Sequence, residues 1–419
     1  MNPKRTGALL ALVLLVGGLA ACGGDSKAEA PEKVVTIGVV APLEEGDTEF
    51  GLGIRNSVQM AVDQANRTGV LPGWTIKVEA VDDSSTPDVG KKNAEKLVDD
   101  PSVVGVVGTY NSGVAAVVAP ELEKAGIAMA SPGNTNPSLT VGPDPAAPQR
   151  QYDNYFRMIA TDAQQGGFLA RYARQDAKYS KAAIVTLDRA VGVGFADDFR
   201  KAFEAEGGTV TSYTKVPEGA TDYTEYARQA GTGGPDVIFF ASEYQQAALL
   251  KNAAIAQGIT LPMMGGDGMQ SAQYIAEVGQ AAQGDIASSV GAPTPSQPNG
   301  AAFLDAYTAG GYEQAPSNFG PYAYDAAAGM LEVLRNAVAG KTRVDAGVRK
   351  AVIDGLQSLK TAPVAELERT MNGGAGFANG AVTGELGFDA YGDTTNRVLT
   401  VYRVQAGEWV PIITRGFAG

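Results

Sequence analysis

The feature that most constrains the fold is a strict alternation of short apolar runs with amphipathic segments, which begins at Val34. Runs rich in β-branched residues predict strands, whereas apolar residues on one helical face predict helices. Their alternation is typical of a parallel sheet covered by helices on both faces. In the first part of the chain we predict strands over 34–40, 74–81, 103–107 and 127–130, and helices over 51–66, 88–99 and 112–124.

A second series of the same kind starts near Thr161. It predicts strands over 182–187, 209–215 and 237–240, helices over 164–175, 195–206, 223–230 and 244–257, a long loop at 292–299, and helices over 301–309 and 322–339. About 390 residues follow the N-terminal segment, which is too many for one compact core. We therefore predict two α/β lobes, with a ligand cleft at the carboxyl ends of their strands.

The N-terminus has the features of an export signal. Lys4 and Arg5 precede an uncharged apolar stretch over 8–21, which is too short to span a bilayer comfortably, and Cys22 follows small residues. We predict a signal peptide over 1–21 and a flexible tether over 22–33. The pattern resembles the lipobox of bacterial lipoproteins, which implies a lipid on Cys22 that anchors the protein to the outer face of the cytoplasmic membrane. The alternative is an ordinary secretory signal in which the cysteine is incidental.

The absence of histidine from all 419 residues excludes most enzyme chemistry. It removes the Ser-His-Asp and Cys-His nucleophiles and the usual histidine zinc sites. Cys22 is the only cysteine, and once lipidated it supplies no thiolate, so we expect neither a metal nor a cofactor. The formal charge of −13 becomes −15 when the signal peptide is removed, which disfavours nucleic-acid binding. Catalysis by carboxylates alone remains open.

Three polar segments follow predicted strands directly. The first contains Ser112, at or near the start of a helix, where free backbone N–H groups favour a carboxylate; the second contains Thr135. The third contains Asp267, flanked by glycines. The alternatives are a plain helix cap at Ser112 and plain turns at Thr135 and Asp267, and spacing alone does not decide between them.

Several segments, in this order, resemble the branched-chain amino acid (Leu/Ile/Val) binding proteins of ABC importers. They are Tyr110-Asn111-Ser112-Gly113, Ser131-Pro132-Gly133-Asn134-Thr135-Asn136-Pro137, Gly265-Gly266-Asp267-Gly268, Tyr324-Asp325-Ala326-Ala327, and Gly387-Phe388-Asp389 with Gly392-Asp393. The resemblance implies a type I periplasmic-binding fold, in which two doubly wound α/β lobes are joined by a three-segment hinge. It places lobe 1 at 34–159 and 291–394, and lobe 2 at 160–290 and 395–419.

The resemblance also implies a pocket for an amino acid or an amino-acid-like ligand. The ligand carboxylate would meet the hydroxyls of Ser112 and Thr135 and backbone N–H groups in the stretch of Gly133, Asn134 and Thr135. The ligand ammonium would meet Asp267. Charge-assisted hydrogen bonds on opposite walls would offset the desolvation of such a zwitterion.

Four further positions complete the implied pocket. Phe50 and Phe319 stand where the family has aromatic side chains against the ligand, whereas Val191 and Glu243 stand where it has tyrosines. Glu243 could help to hold the ammonium, favour a ligand with further donor groups, or pair with Arg189 at the rim. These departures put strict branched-chain specificity in doubt.

The resemblance implies a monomeric solute-binding protein without catalytic activity that closes on its ligand and delivers it to an ABC permease. Two other interpretations stay open at this point. One is an extracellular sensor subunit that binds the same ligand but signals to a receptor, and the other is a carboxylate-dependent hydrolase on the same fold.

Overall fold

The structure is a computed structural model that describes residues 33–359, 381–384 and 386–417. The predicted signal peptide, Cys22 and nearly all of the tether lie outside the described residues. None of the helices described has both the length and the hydropathy that a membrane span requires.

The first sheet is wholly parallel, with strand order β2-β1-β3-β4-β5. Its strands are β1 (Val34–Ala41), β2 (Thr75–Asp82), β3 (Val103–Gly108), β4 (Ala128–Ser131) and β5 (Tyr155–Arg157). The helices along this part of the chain are α1 (Thr48–Thr68), α2 (Pro87–Asp99), α3 (Ser112–Lys124) and the short α4 (Ser138–Val141). Every residue of β3 is buried, as expected for a strand covered on both faces.

The second sheet is mixed, with strand order β12-β11-β10-β9-β8-β6-β7. Its strands are β6 (Lys181–Leu187), β7 (Thr209–Val216), β8 (Val237–Ala241), β9 (Met263–Gly265), β10 (Ile286–Val290), β11 (Val398–Gln405) and β12 (Glu408–Gly416). Strands β6 to β10 pair in parallel, whereas β11 pairs antiparallel with both β10 and β12. The alternating pattern thus identifies β6, β7 and β8 but misses β10 and the antiparallel hairpin at the edge of the sheet.

Four of the five helices along the second part of the chain were predicted and differ mainly at their ends, whereas the helix over 272–278 was not predicted. The five are α5 (Asp162–Arg171), which continues as a π-helical turn over Tyr172–Asp176, α6 (Ala190–Ala205), α7 (Thr224–Ala230), α8 (Tyr244–Ala256) and α9 (Ala272–Val278). Helix α6 begins five residues earlier than the predicted start at Phe195. Glycines at 192 and 194 weaken the helical pattern there, although packing overrides their low propensity.

Three helices follow β10 in the chain; the last two cover the first sheet, and the first contacts α1 and the second of the three. They are α10 (Gly300–Ala309), α11 (Gly320–Ala337) and α12 (Ala346–Ser358), the last of which the sequence analysis did not predict. Helix α11 packs directly over β3 at Gly105, where an added Cβ would lie 2.7 Å from the sulfur of Met330. The chain therefore passes from the first α/β unit to the second after β5, returns after β10, and enters β11 last. The lobe boundaries at 159/160, 290/291 and 394/395 stay predictions.

Candidate ligand-binding site

A cavity lies where the carboxyl ends of strands from both sheets meet. The residues that line it after β3 and β4 are Tyr110, Asn111, Ser112, Gly133 and Thr135. Those that line it from the second unit are Asp162, Arg189, Val191, Gly192, Phe195, Ala241, Ser242, Glu243, Gly266, Asp267 and Gly268. The space open to the centre of a water molecule is about 60 Å³. One water needs about 10 to 15 Å³ by this measure, so the cavity holds only a few small groups.

One wall of the cavity is the N-terminus of α3. Ser112 is the first residue of this helix, and its Oγ accepts hydrogen bonds from the backbone N–H groups of Thr135 and Asn136, both at 3.2 Å. The hydroxyl proton of Ser112 thus remains available for an acceptor in the cavity. Among the residues described, the backbone N–H groups of Ser112 and Gly113 have no hydrogen-bond partner. These donors and the helix dipole make the wall suitable for an anionic group.

The loop after β4 is held by hydrogen bonds within the protein. Ser131 Oγ accepts from the N–H groups of Gly133 (3.2 Å) and Asn134 (2.8 Å). The side chain of Asn134 is fully buried: its amide donates to the carbonyl oxygen of Tyr110 at 2.8 Å, and its oxygen accepts from Tyr155 at 3.0 Å. Asn134 therefore frames the site from behind and is not among the residues that line the cavity. The backbone N–H groups expected to meet a ligand carboxylate bond to serine oxygens instead.

A buried arginine fixes the same loop from below. Arg157 is fully buried, and its guanidinium donates to the carbonyl oxygens of Asn134 and Asn136, both at 2.8 Å, and to the hydroxyl of Thr140 at 2.8 Å. It also pairs with Asp393 at 2.7 Å. The Gly392-Asp393 segment that contributed to the resemblance therefore supports the site without lining it.

Two buried carboxyl groups line the cavity from the second unit: Asp267, and Asp162, whose backbone N–H donates to the carbonyl oxygen of Thr135 at 2.8 Å. Asp267 begins a short 3₁₀ turn after β9, and its Oδ1 accepts from the side-chain amide of Gln165 at 3.0 Å. Ser288 in turn donates to the Gln165 oxygen at 2.7 Å, which fixes the orientation of that amide. Burial raises the pKa of Asp267 to about 6. Burial, together with the charge of Asp267, raises the pKa of Asp162 to about 7, although a hydrogen bond from the Thr135 side chain opposes the shift.

Glu243 precedes α8 and forms an ion pair with Arg189. It also accepts from the hydroxyl of Ser242 at 2.6 Å. Burial raises the pKa of Glu243, but the charge of Arg189 and these hydrogen bonds outweigh that effect and hold the pKa below its usual value. Of the three roles considered for Glu243, pairing with Arg189 is the one that this structure contains. Val191 lies beside the pair, in the first turn of α6.

Phe50 and Phe319 lie outside this cavity, in an aromatic cluster beside it. Their ring centroids are 5.2 Å apart, and Tyr110 lies 4.8 Å from Phe50 and 5.2 Å from Phe319. Phe50 also contacts Tyr244 of the second unit at 5.9 Å. Both phenylalanine side chains are almost fully buried. The cluster closes one side of the cavity, so a ligand side chain has little room in that direction.

Comparisons with known proteins identify the family of this chain. Residues 34–408 match the family described as periplasmic binding protein. The chain belongs to this family. A Leu/Ile/Val-binding protein homologue of Brucella melitensis biotype 1 is 30% identical to this periplasmic binding protein over 324 residues, which cover 77% of this chain and 83% of the relative.

Two solved structures share the fold of this periplasmic binding protein. The branched-chain amino acid transporter substrate-binding protein of Streptococcus pneumoniae, in complex with isoleucine, is 25% identical with a TM-score of 0.74, and the match covers 91% of this chain and 100% of that chain. An ABC transporter solute-binding protein of R. palustris, in complex with 4-hydroxybenzoate, is 21% identical with a TM-score of 0.75, and the match covers 92% and 97%. The expected type I periplasmic-binding fold with two lobes is confirmed.

Membership of this family settles the broad class of the protein. Periplasmic binding proteins of ABC importers are solute-binding proteins, not enzymes, and they act outside the cytoplasm. Within the described residues, no group of three or more acidic side chains is placed to hold a metal ion.

The sequence analysis missed several side chains that line the cavity of this periplasmic binding protein, among them Tyr110, Asn111 and Asp162, and gave Arg189 only a role at the rim. Tyr110 and Asn111 belong to a segment that was recognised, but only Ser112 of that segment was given a role. Asp162 had a local signal, since it follows Thr161, the first residue of a capping box that Gln164 completes. The first turn of a helix that starts at a strand edge is a usual place for binding groups.

Proposed function

We propose that this periplasmic binding protein captures a zwitterionic α-amino acid between its lobes and delivers it to an ABC permease. The observation that carries the proposal is the opposition of two walls in one small cavity. The start of α3 offers unpaired donors, and the second unit offers the carboxyl groups of Asp267 and of Asp162, the latter beside Thr135.

The carboxylate of the ligand would lie against the start of α3. There it would accept from the Ser112 hydroxyl and from the N–H groups of Ser112 and Gly113. Donors at a helix start interact favourably with a negative charge, both by hydrogen bonding and through the helix dipole. The hydroxyl of Thr135 would contribute less, because it bonds to Asp162.

The ammonium of the ligand would lie against Asp267 and Asp162. Their raised pKa values reflect burial, which the charge of Arg157 opposes only in part at Asp162, and a bound ammonium would supply a further positive charge. The amide of Gln165 would keep the Asp267 carboxylate aimed into the cavity. An ammonium and a carboxylate bound only a few atoms apart fit the small size of this cavity.

Closure would depend on contacts that join the lobes around the cavity. The hydroxyl of Ser271 bonds to the carboxylate of Glu49, and the amide of Gln245 donates to the carbonyl oxygen of Gly46 at 3.3 Å. With residues 34–159 and 291–394 as lobe 1, each contact links one lobe to the other. A ligand that touches both walls stabilises this closed form, because it makes all of its contacts only there.

The proposal extends to the part of the chain outside the described residues. Cys22 would carry the lipid that anchors the protein to the outer face of the cytoplasmic membrane, with the tether up to residue 33 as a flexible spacer. The protein would act as a monomer and without catalytic activity. The single cysteine and the lack of histidine support both the anchor and the absence of catalysis.

The test is a thermal-shift measurement with the standard L-amino acids, followed by two analogues of the one that stabilises most. A ligand that binds only the folded state raises the melting temperature. We expect stabilisation by the amino acid, but not by its carboxamide or by its deaminated acid, because each analogue lacks one charge. A Ser112→Ala variant is expected to bind the amino acid more weakly. Equal stabilisation by the amino acid and its carboxamide would contradict carboxylate recognition.

A further inference from the structure

The cavity continues outward on the side opposite the aromatic cluster. Beyond Asn111, Val191 and the Arg189–Glu243 pair it opens into a second chamber of about 390 Å³. This chamber is lined further out by polar groups that include Thr86 and Glu218. Because the inner cavity has room for little more than the charged groups of an amino acid, a ligand side chain must enter this outer chamber.

Two buried polar atoms where the cavities join have no hydrogen-bond partner among the described residues. They are Nε of Arg189, which is a donor, and Oδ1 of Asn111, which is an acceptor. Other groups of both side chains are already bonded: Nη2 of Arg189 bonds to Glu243 and Ser242, and the Asn111 amide donates to Asp47 at 2.9 Å. Buried polar atoms in folded proteins are rarely left unpaired, so two at the junction of these cavities point to a bound group.

The charges around the junction restrict that group further. Arg189 disfavours a cationic side chain, whereas Glu218 and Glu243 disfavour an anionic one. An aliphatic side chain would leave both buried atoms without a hydrogen bond. The cost of such unpaired atoms is the reason why polar sites reject apolar analogues. A neutral group that both accepts and donates satisfies all of these conditions.

We propose that the ligand of this protein is an α-amino acid whose side chain ends in a carboxamide, of the glutamine type. The carboxamide oxygen accepts from Nε of Arg189, and its NH₂ group donates to Oδ1 of Asn111. This inference rests on the proposed function, since it assumes that the α-amino and α-carboxylate groups occupy the inner cavity. It assigns Asn111 and Arg189 as specificity-determining residues.

The primary experiment is calorimetric titration of L-glutamine, L-leucine and L-glutamate into the full chain. We expect L-glutamine to bind at least tenfold more tightly than either of the others, which corresponds to about 1.4 kcal/mol. If L-leucine or L-glutamate binds as tightly as L-glutamine, the carboxamide site is wrong while the proposed function stands. If none of the standard amino acids binds, the proposed function itself fails.

Two variants test the assigned atoms through the ratio of glutamine to leucine affinity. Arg189→Lys keeps a positive charge for Glu243 but lacks the Nε donor, and Asn111→Ala removes the unpaired acceptor. Each is expected to lower the ratio at least fivefold, and measurable leucine binding shows that the variant is folded.

The matched control is Ser85→Ala. Ser85 donates another side-chain hydrogen bond to Asp47, at 2.9 Å, and lines the outer part of the chamber. This variant therefore removes one hydrogen bond from Asp47, as Asn111→Ala also does, but keeps both of the assigned atoms. We expect the ratio to stay unchanged in Ser85→Ala. A ratio that falls equally in both variants would assign the effect to Asp47 and overturn the role of Asn111.

Discussion

The substitution Asp267→Asn is expected to stabilise the ligand-free protein while it weakens ligand binding. The side chain of Asp267 is buried, with 8% of the residue exposed, and its pKa is raised to about 6 from 3.8. Holding the ionised form in the folded protein therefore costs about 3 kcal/mol at pH 8, at 1.36 kcal/mol for each pKa unit. Asparagine has the same shape and can still accept from Gln165, so it removes the cost without leaving a cavity.

The sign of the pH dependence follows from the direction of the shift. A carboxyl group whose pKa is raised by folding destabilises the folded state as pH increases, and the full cost is reached above the folded pKa of about 6. The stability difference between the variant and the wild type should thus be about 3 kcal/mol at pH 8 and only about 0.5 kcal/mol at pH 4. The affinity for the ligand should fall, because the ammonium loses its charged partner. We expect at least a tenfold loss of affinity, or about 1.4 kcal/mol.

The assay compares the thermal unfolding of ligand-free wild type and variant at pH 4 and pH 8, and calorimetric titration of one amino acid into both at pH 8. Asp305→Asn, at an exposed position of α10, is the matched control and should change neither quantity. A variant that melts below the wild type at pH 8 would refute the assigned cost of the buried charge. Unchanged affinity in Asp267→Asn would refute its role in holding the ammonium.

Three further outcomes are expected. Cys22→Ser should release the protein from the membrane fraction without changing its melting temperature, which fractionation and thermal unfolding would show; retention in the membrane would contradict the lipid anchor. Ligand binding near pH 6.5 should release protons, because a bound ammonium lowers the pKa of Asp162 from about 7. Calorimetry in two buffers of different ionisation enthalpy measures the number of protons released. Identical binding heats in the two buffers would count against an ammonium bound beside Asp162. Arg157→Met should lower the free energy of unfolding by about 3 to 5 kcal/mol in chemical denaturation, because it leaves Asp393 and two carbonyl oxygens without their buried partner. A loss below about 1 kcal/mol would show that the loop after β4 does not depend on this arginine.

The sequence predicted those elements whose stability depends on local pattern. Helix α3 has the predicted bounds, Ser112–Lys124, because a polar residue starts it and an apolar stripe continues to its end. The hairpin of β11 and β12 was missed, although it carries a two-residue turn at Ala406 and Gly407, both with positive φ (52° and 83°). Such turns favour hairpins, but Ala-Gly is a weaker signal than Asn-Gly.

The candidate site was predictable as far as strand ends determine it. Ser112 and Thr135 follow parallel strands of the first sheet and Asp267 follows one of the second, so each sheet brings its residues to its carboxyl edge whatever their neighbours are. Arg189 and Glu243 likewise follow neighbouring parallel strands, β6 and β8, which accounts for their pairing, one of the roles considered for Glu243. The contacts of Phe50 with Tyr110 and Tyr244, and of Phe319 with Tyr110, come instead from distant parts of the chain, and no local pattern indicates them.

The electrostatics of the cleft give a reason why closure depends on a ligand. Burial raises the pKa of Asp47, which precedes α1, to about 6, and the charge of Glu243 on the opposite lobe contributes to this shift. Closing the empty cleft therefore brings like charges together, and Arg189 compensates only in part because it already pairs with Glu243. The ammonium of a bound amino acid adds a positive charge to this cluster, and its carboxylate takes up donors at the start of α3. We expect the cost of empty closure to keep the ligand-free lobes apart, so that the permease meets a closed protein mainly when it is loaded.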